Sequence, residues 1–79
     1  MDRKALVMKA LEDPRWDWRT VDGVSRDTGL KPEEVLEIVE SSTDDVIRSR
    51  IGDGQGRALY TTRRHYGARQ SFLDKFRST

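Results

Sequence analysis

Chemistry in this 79-residue chain has to come from charged side chains, because it holds no cysteine and a single histidine. Without thiolates there is neither a disulfide framework nor a thiolate metal site. His65 stands in the run Arg63-Arg64-His65-Tyr66 with no acid or nucleophile assignable to it, so no acid–base or nucleophilic constellation forms around it. Asp44 and Asp45 are adjacent carboxylates, yet no further spaced ligand accompanies them, and they read as a solvated loop. The stretch Gly52-Asp53-Gly54-Gln55-Gly56-Arg57 invites comparison with a phosphate-binding loop. Such loops need a longer glycine spacing followed by Lys and Ser or Thr at the start of a helix, and this one runs into a strand pattern. The sequence therefore points to no catalytic residue, no metal and no cofactor. What remains is binding by charge. Arg48, Arg50, Arg57, Arg63 and Arg64 are suited to phosphates, whereas Glu33, Glu37 and Glu40 are suited to a basic protein partner.

The net charge of +1 is too small for the chain as a whole to attract nucleic acid, so distribution decides. Residues 1–30 balance, residues 31–45 carry six acidic groups against one basic, and residues 46–79 carry eight basic groups against two acidic. Both candidate surfaces thus fall in separate stretches. No apolar run is long enough for a signal peptide or a membrane span, and a cytoplasmic location is expected. With 34% hydrophobic residues the chain makes one domain over 1–79 with a modest core and marginal stability.

The elements that must position these charges follow from periodicity. Arg3 to Glu12 reads as a helix, with Ala5, Leu6, Val7, Met8, Ala10 and Leu11 apolar and Pro14 forbidding continuation. Trp16-Asp17-Trp18-Arg19 alternates as a short extended segment, placed at Asp17 to Arg19, with one indole facing the interior and the other partly exposed. Thr20 is suited to cap a helix carrying Val21, Val24 and Thr28 on one face, and Gly29 to end it in a left-handed residue. Pro32, at a first helical position, opens a second helix whose buried arc is Val35, Leu36, Ile38 and Val39. Beyond the polar connection 42–45, Val46 to Ile51 alternates as a strand, residues 52–56 reverse the chain, and Arg57 to Thr62 returns. A last helix is predicted over about 67–77, where Ala68, Phe72 and Phe76 recur at every fourth position with Leu73 alongside. Its stripe is expected to close on the first helix.

The run TVDGVSRDTGLKPEEVLEIVES at residues 20–41 resembles the helix-turn-helix of prokaryotic winged-helix domains, in which a Gly-Leu turn and a Pro-Glu-Glu-Val-like helix start recur. The chain departs from that pattern at Gly23, at Ser25, where alanine is common, and at Lys31, where a capping residue is usual. The resemblance implies an α+β fold: a three-helix core with a short strand, a two-stranded wing over about 46–62 and a C-terminal helix. It also implies a non-catalytic binding module, as DNA-binding or transcription-regulatory domains of this fold are.

In such domains the second helix of the motif enters the major groove. Here the arc opposite Val35, Leu36 and Val39 carries Glu33, Glu34, Glu37 and Glu40, and carboxylates are repelled from a groove flanked by phosphates. Two readings remain open. In one, nucleic acid is held by phosphate contacts from the wing and the basic segment after it; in the other, the acidic helix docks a basic protein or the domain self-associates.

Overall fold

The fold begins with a carboxylate that fixes where the chain turns helical. This computed structural model describes residues 2–68. Asp2 Oδ1 accepts from the Ala5 N–H at 2.7 Å and opens α1, Arg3–Leu11, which buries Val7 and Leu11 one turn apart. Thr20 opens α2, Val21–Thr28, its hydroxyl accepting from the Gly23 N–H at 3.1 Å. Gly29 ends α2 with φ of 77°, a left-handed conformation that costs glycine little. Ser25, where the winged-helix pattern has alanine, locks the turn that follows by donating to the Leu30 carbonyl at 2.6 Å. α3, Pro32–Ser41, starts on its proline with no side-chain cap from Lys31 and buries Val35 and Val39.

The sheet is smaller than the alternation predicts. β1 is Val46–Arg48 and β2 is Tyr60–Thr62, antiparallel, with Val46 opposite Thr62, Ile47 opposite Thr61 and Arg48 opposite Tyr60. The ladder gains one more bond, from the Ser49 N–H to the Leu59 carbonyl at 2.8 Å, and then gives way to a turn organised by side chains. Ile51, expected on a strand face, is 78% exposed. The short strand expected at Asp17 to Arg19 shrinks to one bridge, in which Arg19 and Tyr60 exchange two backbone hydrogen bonds of 2.8 Å.

The core is Val7, Leu11, Val24, Val35, Val39, Val46 and Tyr60, contributed by α1, α2, α3 and both strands. Two expectations about it need correction. Leu36 is 37% exposed and lies outside the buried arc, because the interior face of α3 is taken by Val35 and Val39, one turn apart. No tryptophan enters the core either: Trp16 is 48% exposed, and Trp18 is half-buried with its ring centroid 5.9 Å from that of Tyr66. The residue of that stretch that does go inside is Arg19, 8% exposed. Its guanidinium pairs with Asp27, donates to the Ala10 carbonyl at 3.4 Å and lies 5.4 Å from the Trp16 ring, joining the end of α1 to the end of α2.

That guanidinium also explains the glycine inside α2. A Cβ at Gly23 would stand 3.1 Å from Arg19 Nη2 and 3.3 Å from Thr20 Oγ1, so these side chains would have to give way by a few tenths of an ångström. The last described segment, residues 63–68, is helical and starts four residues earlier than predicted. Thr62 ends β2 and caps this helix at once, its hydroxyl accepting from the His65 N–H at 3.0 Å and donating to Glu12 Oε2 at 2.8 Å. Phe72, Leu73 and Phe76 lie outside the described residues. Among those described, no helix is long and apolar enough to cross a membrane.

Two stability measurements test this account, each read from urea unfolding. In the wild-type background Gly23→Ala is expected to destabilise by about 1 kcal/mol, whereas after Arg19→Ala it should stabilise by roughly 0.5–1 kcal/mol, the ordinary helix-propensity gain. Equal effects in both backgrounds would break the link between Arg19 and Gly23. Thr61 is fully buried and its hydroxyl has no hydrogen-bond partner among the described residues. Thr61→Val should therefore stabilise by about 1 kcal/mol, and a drop in stability would show that the hydroxyl is satisfied.

Candidate nucleic-acid interface

The backbone row Arg48–Tyr60–Arg19 fixes the hairpin against the helices and so decides where the arginines stand. Arg48, the last residue of β1, and Arg50, just beyond it, are both exposed. Among the described residues neither has an ion-pair or hydrogen-bond partner for its side chain. Of the five arginines singled out in the sequence, these two are left for a ligand.

The other three sequence-predicted arginines first serve the fold. Arg57 is drawn into the tip of the hairpin, where its Nε donates to Asp53 Oδ2 at 2.7 Å and its Nη2 to Gln55 Oε1 at 2.7 Å, with Asp22 4.0 Å away. Arg63 donates through Nε to the Asp44 carbonyl at 2.9 Å and through Nη2 to the Thr43 carbonyl at 3.4 Å, fastening the loop after α3. Arg64 stands 4.0 Å from Glu12 with its side chain 90% exposed, a loose surface contact worth little energy. The cationic surface is thus narrower than the sequence run suggests.

Asp53 organises the tip of the hairpin, a role that sequence reasoning missed. Its Oδ1 accepts from the Gln55 N–H at 2.8 Å and the Arg57 N–H at 3.1 Å, and its own N–H donates to the Arg57 carbonyl at 3.1 Å. The tip, expected from its glycines to reverse the chain, does so as a loop closed by these bonds, with Gly54 and Gly56 at φ of 87° and 84°. A visible signal existed in the Asp-Gly-Gln pattern, since aspartate readily bonds the backbone two residues on. The backbone bond from Gln55, joined by those from Arg57, holds the Asp53 carboxyl below its ordinary range.

The acidic side is equally plain. Glu33, Glu37 and Glu40 are exposed along α3 and no partner occupies them among the described residues, while Glu34 pairs with Arg3 at 3.1 Å. Leu36 lies between them in sequence and lines a recess of about 170 Å³ with Val21, Ala58 and Tyr60, where α2, α3 and the hairpin meet. His65 is no isolated surface group, because its Nε2–H donates to the Trp16 carbonyl at 2.7 Å and holds the 13–18 loop. In that loop Arg15 bonds the Asp13 carboxylate through its side chain and its backbone, which lowers the Asp13 pKa to about 2. No group of three or more metal-ligating side chains comes together among the described residues.

The lowered Asp53 pKa gives a pH signature with a fixed sign. Because the folded value lies below the ordinary 3.8, the order that this carboxylate gives the tip is complete above that pH and disappears as pH falls through the lowered value. The Gln55 and Arg57 amide shifts should titrate together with a midpoint below 3.8, and Asp53→Ala should abolish the transition. Two separate midpoints, or one at the ordinary value, would refute the shared carboxylate. Comparison of the chain with protein-family models, with curated proteins and with solved structures gives no match to any of them.

Proposed function

We propose that this chain is a non-catalytic binding module of winged helix-turn-helix type that holds nucleic acid by its phosphates, in the manner of a DNA-binding or transcription-regulatory domain. The observation that carries this reading is the exposed pair Arg48 and Arg50, without a side-chain partner among the described residues, on a hairpin edge whose backbone is fixed on its other side by Arg19. A guanidinium offers a planar fork of donors that matches a phosphate, and each contact releases condensed counterions. Arg64 extends the same charge, and Arg57 and Arg63 add field from their fixed positions. α3 does not enter the major groove in this reading, since Glu33, Glu37 and Glu40 oppose it. Contacts to phosphate alone carry no base preference.

A second reading, docking of a basic protein on α3, is favoured by one observation: Leu36 is 37% exposed amid those three free carboxylates. An apolar centre with a charged rim is how specific protein contacts are built.

Amide chemical shifts of the full chain titrated with mixed-sequence duplex DNA separate the two. Salt-sensitive shifts centred on residues 46–64 are expected. Replacing Arg48 and Arg50 by Ala should weaken binding equally for every duplex sequence and reduce the salt slope by roughly 0.9 for every phosphate that is no longer neutralised. No shifts at low salt would remove the nucleic-acid reading.

A further inference from the structure

We infer that two copies of this chain associate as a twofold pair, each setting the edge Arg48, Arg50 and Ile51 of its hairpin against α3 of the other. Self-association and phosphate binding then compete for the same two arginines. The competition rests on the nucleic-acid reading above; the pairing itself does not.

Three observations meet in this contact. Ile51 is 78% exposed, the most exposed of the large apolar side chains described, and it adjoins Arg50 on the hairpin edge. The recess of about 170 Å³ is walled by Val21, Leu36, Ala58 and Tyr60, enough room for one aliphatic side chain, with Asp22 and Arg57 at its mouth. The chain's own Ile51 does not fill it, as its exposure shows. Glu33, Glu37 and Glu40 stand exposed on α3 beside the recess with no partner among the described residues, matching the free Arg48 and Arg50. Apolar group faces apolar recess while cations face anions, so one placement satisfies both kinds of complementarity.

Symmetry favours the pair. Each copy carries one projecting Ile51 and one recess, and a twofold arrangement makes both contacts at once and closes the assembly. The charges on both sides are exposed and open to screening, so the pair is salt-sensitive. A polyanion offering phosphates to Arg48 and Arg50 displaces α3 of the second copy by mass action.

Sedimentation equilibrium of the full chain over a range of concentrations tests this. At low salt the average mass should rise from that of one chain towards two, and the rise should vanish at high salt, on adding duplex DNA, in Ile51→Ser and in the double variant Glu37→Lys, Glu40→Lys. Ile51→Ser should bind duplex DNA at least as tightly as the wild type, because no second copy then competes for Arg48 and Arg50, and amide spectra confirm that each variant is folded. The decisive sample mixes Glu37→Lys, Glu40→Lys with Arg48→Glu, Arg50→Glu: each alone stays single, and together they should associate, because the reversed charges again match. A constant single-chain mass for the wild type at every concentration, or a mixture that fails to associate, overturns the pairing. Pairing that persists unchanged when duplex DNA binds overturns the competition alone.

Discussion

The structure depends on a charge placed where an apolar residue is expected. Arg19 has its backbone in a sheet bridge with Tyr60 and its guanidinium buried between the ends of α1 and α2, against Asp27, the Ala10 carbonyl and the Trp16 ring. Burying a guanidinium is costly unless its donors are satisfied, and a partner that remains 42% exposed keeps part of its hydration. The arrangement stabilises less than a well-packed aliphatic would, but it is directional. A valine there would pack without making these directional contacts between the ends of α1 and α2; Arg19 makes them and crowds position 23, where glycine stands. The helices and the hairpin therefore share one anchor, and the exposed arginines inherit their positions from it.

Local chemistry made much of the helical part legible. Thr20, Gly29 and Pro32 act where their side chains and allowed dihedrals say they should, and Val24, Val35 and Val39 bury as their spacing requires. The failures all involve choices that sequence periodicity cannot see. Trp16 to Arg19 alternates whichever face turns inward, and the choice fell to the residue with an anion to meet, Asp27, eight positions away. Val46 to Ile51 alternates too, yet the strand stops at Arg48 because the turn is set by Asp53 rather than by the pattern that precedes it. The last helix starts early because Thr62 can cap from within a strand, and an assignment made from apolar spacing alone looks for the first apolar residue instead.

The candidate site was legible as a charge distribution and illegible as a set of contacts. Five arginines look alike in a string, but the fold engages Arg57 with the tip and Arg63 with the loop after α3 before any ligand arrives. What separates Arg48 and Arg50 is the absence of a nearby anion among the described residues, a property of three-dimensional neighbours. The acidic face of α3 needed no structure to recognise, whereas the exposure of Leu36 within it did.

Thr62 governs how motion passes through the molecule. It is at once the last residue of a strand, the cap of a helix and the hydroxyl that clamps Glu12. No linker separates hairpin from helix, so there is no hinge at which one can tilt without the other. Arg48 on β1 is tied through the ladder to β2, and β2 runs directly into residues 63–68, so the arginine-bearing edge, the helix and the end of α1 are joined through one residue.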